Sequence, residues 1–148
     1  MHDHKVDQCK YNGNTKATHI ITNISTCSLT KWHNWILQFV AACKKPLIFC
    51  IITEYFPGGS LRINLHKQKP HSLPLKLILK MAYDIAQGMK YIHSQGIIHR
   101  DLKSENLLLG DDMCVKVADF GVSCLVSQCD TTTGFMGTYH WMAPEMIK

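Results

Sequence analysis

At 148 residues, with 46% hydrophobic and 18% charged residues, the chain has the composition of one soluble globular domain. Its formal charge of +5 arises from 16 Lys and Arg against 11 Asp and Glu; only Arg62 and Arg100 are arginines and the lysines are scattered, which argues against a nucleic-acid partner. The longest apolar run, Leu47 to Ile52, falls far short of the roughly 18 residues that a membrane span requires, and the polar start is no signal peptide. Seven cysteines (Cys9, Cys27, Cys43, Cys50, Cys114, Cys124, Cys129) form an odd set without CxxC spacing. Free thiols in a reducing compartment fit that set better than a disulfide framework, so the cytosol is expected, with the nucleus left open.

Residues 1–30 are polar and lack sustained periodicity, and they read as poorly ordered. Within them, His2 to His4 have no second ligand pair to make a metal site, and the sequon at Asn23 is inert without secretion. From Leu37 the texture changes. The β-rich runs LQFVAA and LIFCIITEY bracket CKKP and predict an antiparallel hairpin, which Pro57, Gly58 and Gly59 then end. Between Leu75 and Ile92, apolar residues at 75, 78, 79, 82, 85, 86, 89 and 92 recur at helical intervals. They predict a helix that buries that face, with Lys76, Lys80, Asp84, Gln87 and Lys90 toward solvent, Pro74 in the first turn and Gly96 past the end. NLLL, the turn GDD and CVKV predict a second hairpin.

The chemistry is concentrated after the helix. His99 to Leu109 reads HRDLKSENLLL, Ala118 to Gly121 reads ADFG, and Ala143 to Glu145 reads APE. Taken singly these are turn and capping residues; in this order and at this separation they resemble the catalytic loop and activation segment of protein kinases. The reaction of that family spreads negative charge over the oxygens of a transferring phosphoryl group, so it needs carboxylates and cations in position. The resemblance implies that Asp101 orients the acceptor hydroxyl and takes its proton, and that Lys103 neutralises charge on the transferring group. It implies that Asn106 and Asp119 supply oxygen ligands to Mg²⁺, a hard cation suited to amide and carboxylate oxygens. Upstream, IITEYFPGGSL resembles the hinge between kinase lobes. On that match Thr53 is the gatekeeper, the Glu54 carbonyl and Phe56 amide meet the adenine of ATP, and Leu108 forms the pocket floor.

Thr138, in GTYHWMAPE, matches the residue that bridges Asp101 and Lys103 in serine/threonine kinases, and Lys103 also favours a serine or threonine acceptor over tyrosine. Thr131 to Thr133 stand where kinases are often phosphorylated, and Arg100 could pair with an added phosphate; a solvated threonine run is the alternative. AACKKP, CIITEY, GGSLR and GTYHWMAPE together resemble plant Raf-like kinases of the tyrosine-kinase-like group, whose members commonly carry Arg where this chain has His140. The implied fold is a kinase-like α+β fragment over residues 33–148, with residues 1–32 unassigned. It comprises the end of an N-lobe sheet, the hinge, a large helix, the catalytic-loop hairpin and the activation segment. The implied partners are ATP and a protein with a Ser or Thr acceptor.

The pattern also has gaps. Gly13 is the only glycine before Gly58 and no glutamate precedes Glu54, so the family's Gly-rich loop and the glutamate that holds its phosphate-binding lysine have no counterparts. WHNWILQF stands where the family usually has His-Pro-Asn, and the chain reaches only just beyond APE. The expectation is a kinase domain truncated at both ends, with a catalytically inactive binding or decoy fragment as the alternative.

Overall fold

The computed structural model describes residues 33–45, 48–69, 72–129 and 137–147. The predicted first hairpin is present as β1 (Phe39–Lys45) and β2 (Ile48–Thr53), antiparallel, with Phe39 opposite Thr53, Lys45 opposite Ile48 and an irregularity between Phe39 and Ala41. An extended stretch from Glu54 and a turn at Pro57 and Gly58 lead into α1 (Leu61–Lys67), where the Ser60 side chain accepts a hydrogen bond from the Ile63 amide. This helix has no counterpart in the sequence reading. Its apolar residues Leu61, Ile63 and Leu65 alternate in the manner of a strand, and only Leu61 is buried.

The long helix α2 (Leu75–Ser94) runs two residues past its predicted end, and Gly96 follows it with a φ of +67°. The face it buries overlaps only in part with the one the periodicity indicated: Ile85, Met89 and Ile92 pack into the core as expected. Met81, Asp84, Gly88 and Ile92 are buried, whereas Leu75, Ile78, Leu79 and Tyr83 are exposed. Asp84 was expected in solvent; instead the Trp35 indole N–H and the Val115 amide donate to its carboxylate at 3.0 and 3.1 Å, and Lys80 reaches it from one turn back. Buried carboxylates are tolerated when so satisfied.

After α2, β3 (Ile97–Ile98) pairs antiparallel with β6 (Cys124–Leu125), and the predicted second hairpin is β4 (Leu107–Leu109) with β5 (Val115–Val117). The core sits between α2 and this hairpin, around Ile92, Leu107, Leu109, Val115, Val117 and Phe120. Two links draw the first part of the chain onto β5: the Val117 amide donates to the Trp35 carbonyl and the Leu37 amide to the Val117 carbonyl. Cys124 and Cys129 form a disulfide, which corrects the expectation of free thiols throughout: a 3-10 turn at Val126–Gln128 folds the chain back and brings the two Cα atoms to 5.8 Å. No helix among the described residues is long and apolar enough to cross a membrane.

Candidate active site

The catalytic loop lies between β3 and β4, where the chain leaves the core and returns within nine residues. His99 anchors it from beneath. The ring is buried; Nε2 lies 3.0 Å from the Ala118 carbonyl and Nδ1 accepts from the Asp101 amide at 3.3 Å. Only a neutral ring protonated at Nε2 satisfies both contacts, and burial lowers its pKa below the usual value despite the nearby carboxylates. Arg100 and Asp119 both adopt left-handed backbone, at φ +66° and +62°. For non-glycine residues this costs on the order of 1–3 kcal/mol and is sustained only by surrounding contacts. Those contacts are present: Arg100 Nε donates to the Val122 carbonyl, and the Ala118 amide donates to the Asn106 carbonyl at 2.8 Å.

Four of the residues singled out by sequence come together. Lys103 Nζ lies 2.8 Å from Asp101 Oδ2 and donates to Thr138 Oγ1 at 2.7 Å, while the Thr138 hydroxyl donates to Asp101 Oδ1 at 2.7 Å. Asn106 Nδ2 donates to the Asp101 carbonyl at 2.9 Å and to Oδ2 at 3.0 Å. Burial disfavours ionisation of Asp101, but Lys103, Thr138 and Asn106 outweigh it and hold the carboxyl below its ordinary range. Gly137 makes the approach of Thr138 possible. Its φ is +125°, and a Cβ there would stand 2.5 Å from the Arg100 carbonyl oxygen.

Asp119 stands apart from this ring, exposed, with Oδ1 accepting from the Gly121 amide at 3.3 Å. Asn106 spends its amide hydrogens on Asp101, which leaves Oδ1 as its open acceptor. Among the described residues no group of three or more His, Cys, Asp and Glu is placed to hold a metal. Asn106 Oδ1 and the Asp119 carboxylate are oxygen donors of the type that Mg²⁺ takes, alongside water and phosphate.

The hinge candidates form a second group. Thr53 is exposed at the end of β2, and no hydrogen bond joins Thr53, Glu54, Phe56 or Leu108 to the Asp101 ring among the described residues. The Glu54 amide donates to the Gln38 carbonyl at 2.9 Å; the Glu54 carbonyl and the Phe56 amide take no hydrogen bond among the described residues. Leu108 is half-buried in β4, bridged to Ser60, with the Gly58 amide donating to the Leu109 carbonyl beside it at 2.9 Å. Lys116 was missed in the sequence. From β5 its Nζ reaches Glu54 Oε1 at 2.6 Å and lies 5.0 Å from the centre of the Phe56 ring, so one cation holds two hinge side chains. The only sequence signal was its place opposite Leu108 in the hairpin, three residues before Asp119. Thr131 to Thr133 lie outside the described residues.

A family model described as the protein kinase domain matches residues 4–148. The chain belongs to the protein kinase domain family. Among curated relatives, this kinase chain is 62% identical over 117 residues to the serine/threonine/tyrosine-protein kinase HT1 of Arabidopsis thaliana, covering 79% of the chain and 30% of that protein. It is 50% identical over 116 residues to the serine/threonine-protein kinase STY46 of the same plant, covering 78% of the chain and 20% of the relative. The mitogen-activated protein kinase kinase kinase dlk-1 of Caenorhabditis briggsae is 40% identical over 117 residues, covering 78% and 13%. The likeness to plant Raf-like kinases stands on the first two, and the chain spans less than a third of any of the three.

Proposed function

We propose that this chain carries the catalytic loop and hinge of a serine/threonine protein kinase that transfers the γ-phosphoryl group of ATP to a Ser or Thr hydroxyl of a protein, in the cytosol. The observation that carries the reading is the closed ring of Asp101, Lys103 and Thr138, with contacts of 2.7–2.8 Å. In this ring Asp101 is ionised and faces a cation and a hydroxyl. An acceptor hydroxyl placed beside its carboxylate gives up its proton there as its oxygen bonds to the γ-phosphorus and the bond to the β-phosphate oxygen breaks. Lys103 neutralises charge on the moving group, and Thr138 fixes the relative position of the two. Asn106 and Asp119 would hold Mg²⁺, which when bound neutralises the phosphate oxygens. The free Glu54 carbonyl and Phe56 amide supply one acceptor and one donor to an adenine edge, with Thr53 at its rear and Leu108 below.

The test is a chimera in which residues 33–148 are extended at both ends with the flanking kinase segments of HT1. It is expected to unfold cooperatively and to phosphorylate Ser and Thr of a generic basic protein with Mg-ATP. A chimera that folds and binds Mg-ATP but transfers no phosphate, even after phosphorylation of its activation segment, refutes catalysis and leaves a binding or decoy module.

A further inference from the structure

The Cys124–Cys129 bridge is not used by the catalytic reading, yet it sits against the catalytic machinery. Cys124 belongs to β6, and the backbone on either side of it is bonded to the strand that leads into Asp101. Ser123 Oγ donates to the His99 carbonyl at 3.1 Å, Arg100 Nε donates to the Val122 carbonyl, and the Val126 amide donates to the Gly96 carbonyl at 2.8 Å. Among the described residues this bonding ends past Val126. Val126, Ser127 and Gln128 are exposed, and within that turn a single backbone hydrogen bond, Cys129 amide to Val126 carbonyl at 3.5 Å, is long. Among the described residues the disulfide is therefore the principal tie between residues 127–129 and the catalytic-loop strand. Its two cysteines also differ in access, because Cys124 is 8% exposed while Cys129 is only half-buried.

We propose that Cys124–Cys129 is a reversible thiol–disulfide exchange site, attacked at Cys129 Sγ by a CxxC-type dithiol reductant, and that its reduction frees the turn Val126–Cys129 from the catalytic-loop strand. The reductant thiolate donates an electron pair to Cys129 Sγ, and the bond between the two protein sulfurs breaks. The pair departs on Cys124 Sγ, which takes up a proton. The second reductant thiol, losing its proton, then attacks the reductant sulfur of the mixed disulfide and expels Cys129 as a thiolate that is protonated in turn. In sum the bridge gains two electrons and two protons while the dithiol becomes a disulfide. Attack is directed to Cys129 because an in-line approach needs an open sulfur, and burial closes Cys124 to it. Cys114 does not compete as an attacking thiol: burial and its contact with Asp112 push its pKa up. The exchange chemistry stands independently of the kinase reading; only its consequence for an activation segment, in which Thr131 follows Cys129 by two residues, rests on that reading.

The experiment uses the whole chain purified without reductant, alkylated in denaturant and mapped by peptide mass spectrometry. Cys124 and Cys129 are expected linked and unlabelled, with Cys114 labelled; full labelling of both overturns the proposal. A thioredoxin-type protein whose second active-site cysteine is changed to serine then traps the first step. The mixed disulfide is expected on Cys129, and trapping on Cys124, or none at all while the chain stays folded, overturns the directed attack. Hydrogen exchange completes the test on the unsubstituted chain. Reduction by the intact dithiol should speed exchange of the two bonded amides of the turn, Val126 and Cys129, at least tenfold and leave those of α2 unchanged. Equal acceleration in α2 would mean that the bridge holds the whole fold, and no acceleration at either Val126 or Cys129 would mean that it holds nothing; either result overturns the proposed release. None of these readouts depends on phosphoryl transfer, so a catalytically silent protein leaves them intact.

Discussion

Asp101 and Asp119 are carboxylates eighteen residues apart in one loop system, and their surroundings divide their work. Asp101 is enclosed by a lysine, a hydroxyl and an amide, whereas Asp119 is exposed and held only by the Gly121 amide. In the HT1-extended chimera, Asp101→Asn is expected to lower kcat by roughly 100- to 10,000-fold, the range of a lost general base, with little change in nucleotide affinity. Asp119→Asn should instead weaken Mg-dependent nucleotide binding, and steady-state kinetics with a Mg²⁺ titration separates the two. Near-normal turnover of Asp101→Asn removes that residue from the mechanism. The histidine beneath the loop gives a second expectation. Burial lowers the pKa of His99, so the folded state prefers the neutral ring while the unfolded chain takes up a proton near the ordinary histidine value of 6.5. Its contribution to stability is therefore complete above pH 6.5 and is lost as pH falls below that value toward the lowered one. Ring ¹⁵N chemical shifts at pH 6.5 should report His99 as the neutral Nε2–H tautomer, when an unperturbed histidine would be half protonated.

At the scale of elements, α2 owes its placement to two residues that a hydrophobic pattern misreads. Gly88 lets the first part of the chain lie close, since a Cβ there would stand 2.9 Å from both the Trp35 carbonyl oxygen and Val117 Cγ2. Asp84 joins Trp35, α2 and β5 through one carboxylate. In the chimera, Asp84→Ala should strand the indole and amide donors, each worth about 1–3 kcal/mol when buried unpaired, and lower stability by about 2–4 kcal/mol in urea denaturation. Lys116 makes a similar join on the nucleotide side. In the chimera, Lys116→Met should free Phe56 and leave the Glu54 carboxylate held only by the Gln38 amide, raising the Kd for ATP severalfold with little loss of kcat at saturation, which an unchanged Kd would contradict. Both hairpins and the helix span were legible because strand propensity, turn residues and helical period agree locally. The buried face of α2 was legible only toward its end, at Ile85, Met89 and Ile92, because burial is decided by partners. A carboxylate met by two donors enters the core while Leu75 and Leu79 stay outside. Ordered motifs likewise singled out Asp101, Lys103, Asn106 and Thr138, which the fold brings together, whereas Lys116 and Trp35 depend on contacts across the fold that no local spacing encodes, and the cysteine bridge depends on a turn between its two residues that the pattern did not signal.

Across the whole molecule, the buried side of α2 is covered by β5 and the segment around Trp35, but among the described residues nothing covers its opposite side. Leu75, Leu79 and Tyr83 are 69%, 60% and 57% exposed, and Ile78 lies between them. Near the catalytic ring, Tyr139 and Trp141 are exposed as well, at 59% and 50%. Exposed apolar area on this scale in one chain favours association or further covering, because each large side chain left in water forgoes about 1.5–3 kcal/mol of burial. The relatives are more than three times as long as the segment they share with this chain. Adding HT1-derived flanking segments to residues 33–148 should therefore act first on folding: the isolated chain is expected to bind a hydrophobic dye and to unfold over a broad range. The extended one should lose dye binding and show a single sharp thermal transition. Leu79→Lys separates the two situations. In the isolated chain it replaces an exposed leucine, so solubility should improve with stability nearly unchanged. In the extended protein the same lysine would enter a covered surface and should lower the transition by several degrees. Equal tolerance of Leu79→Lys in both backgrounds would show that the added segments leave this face bare.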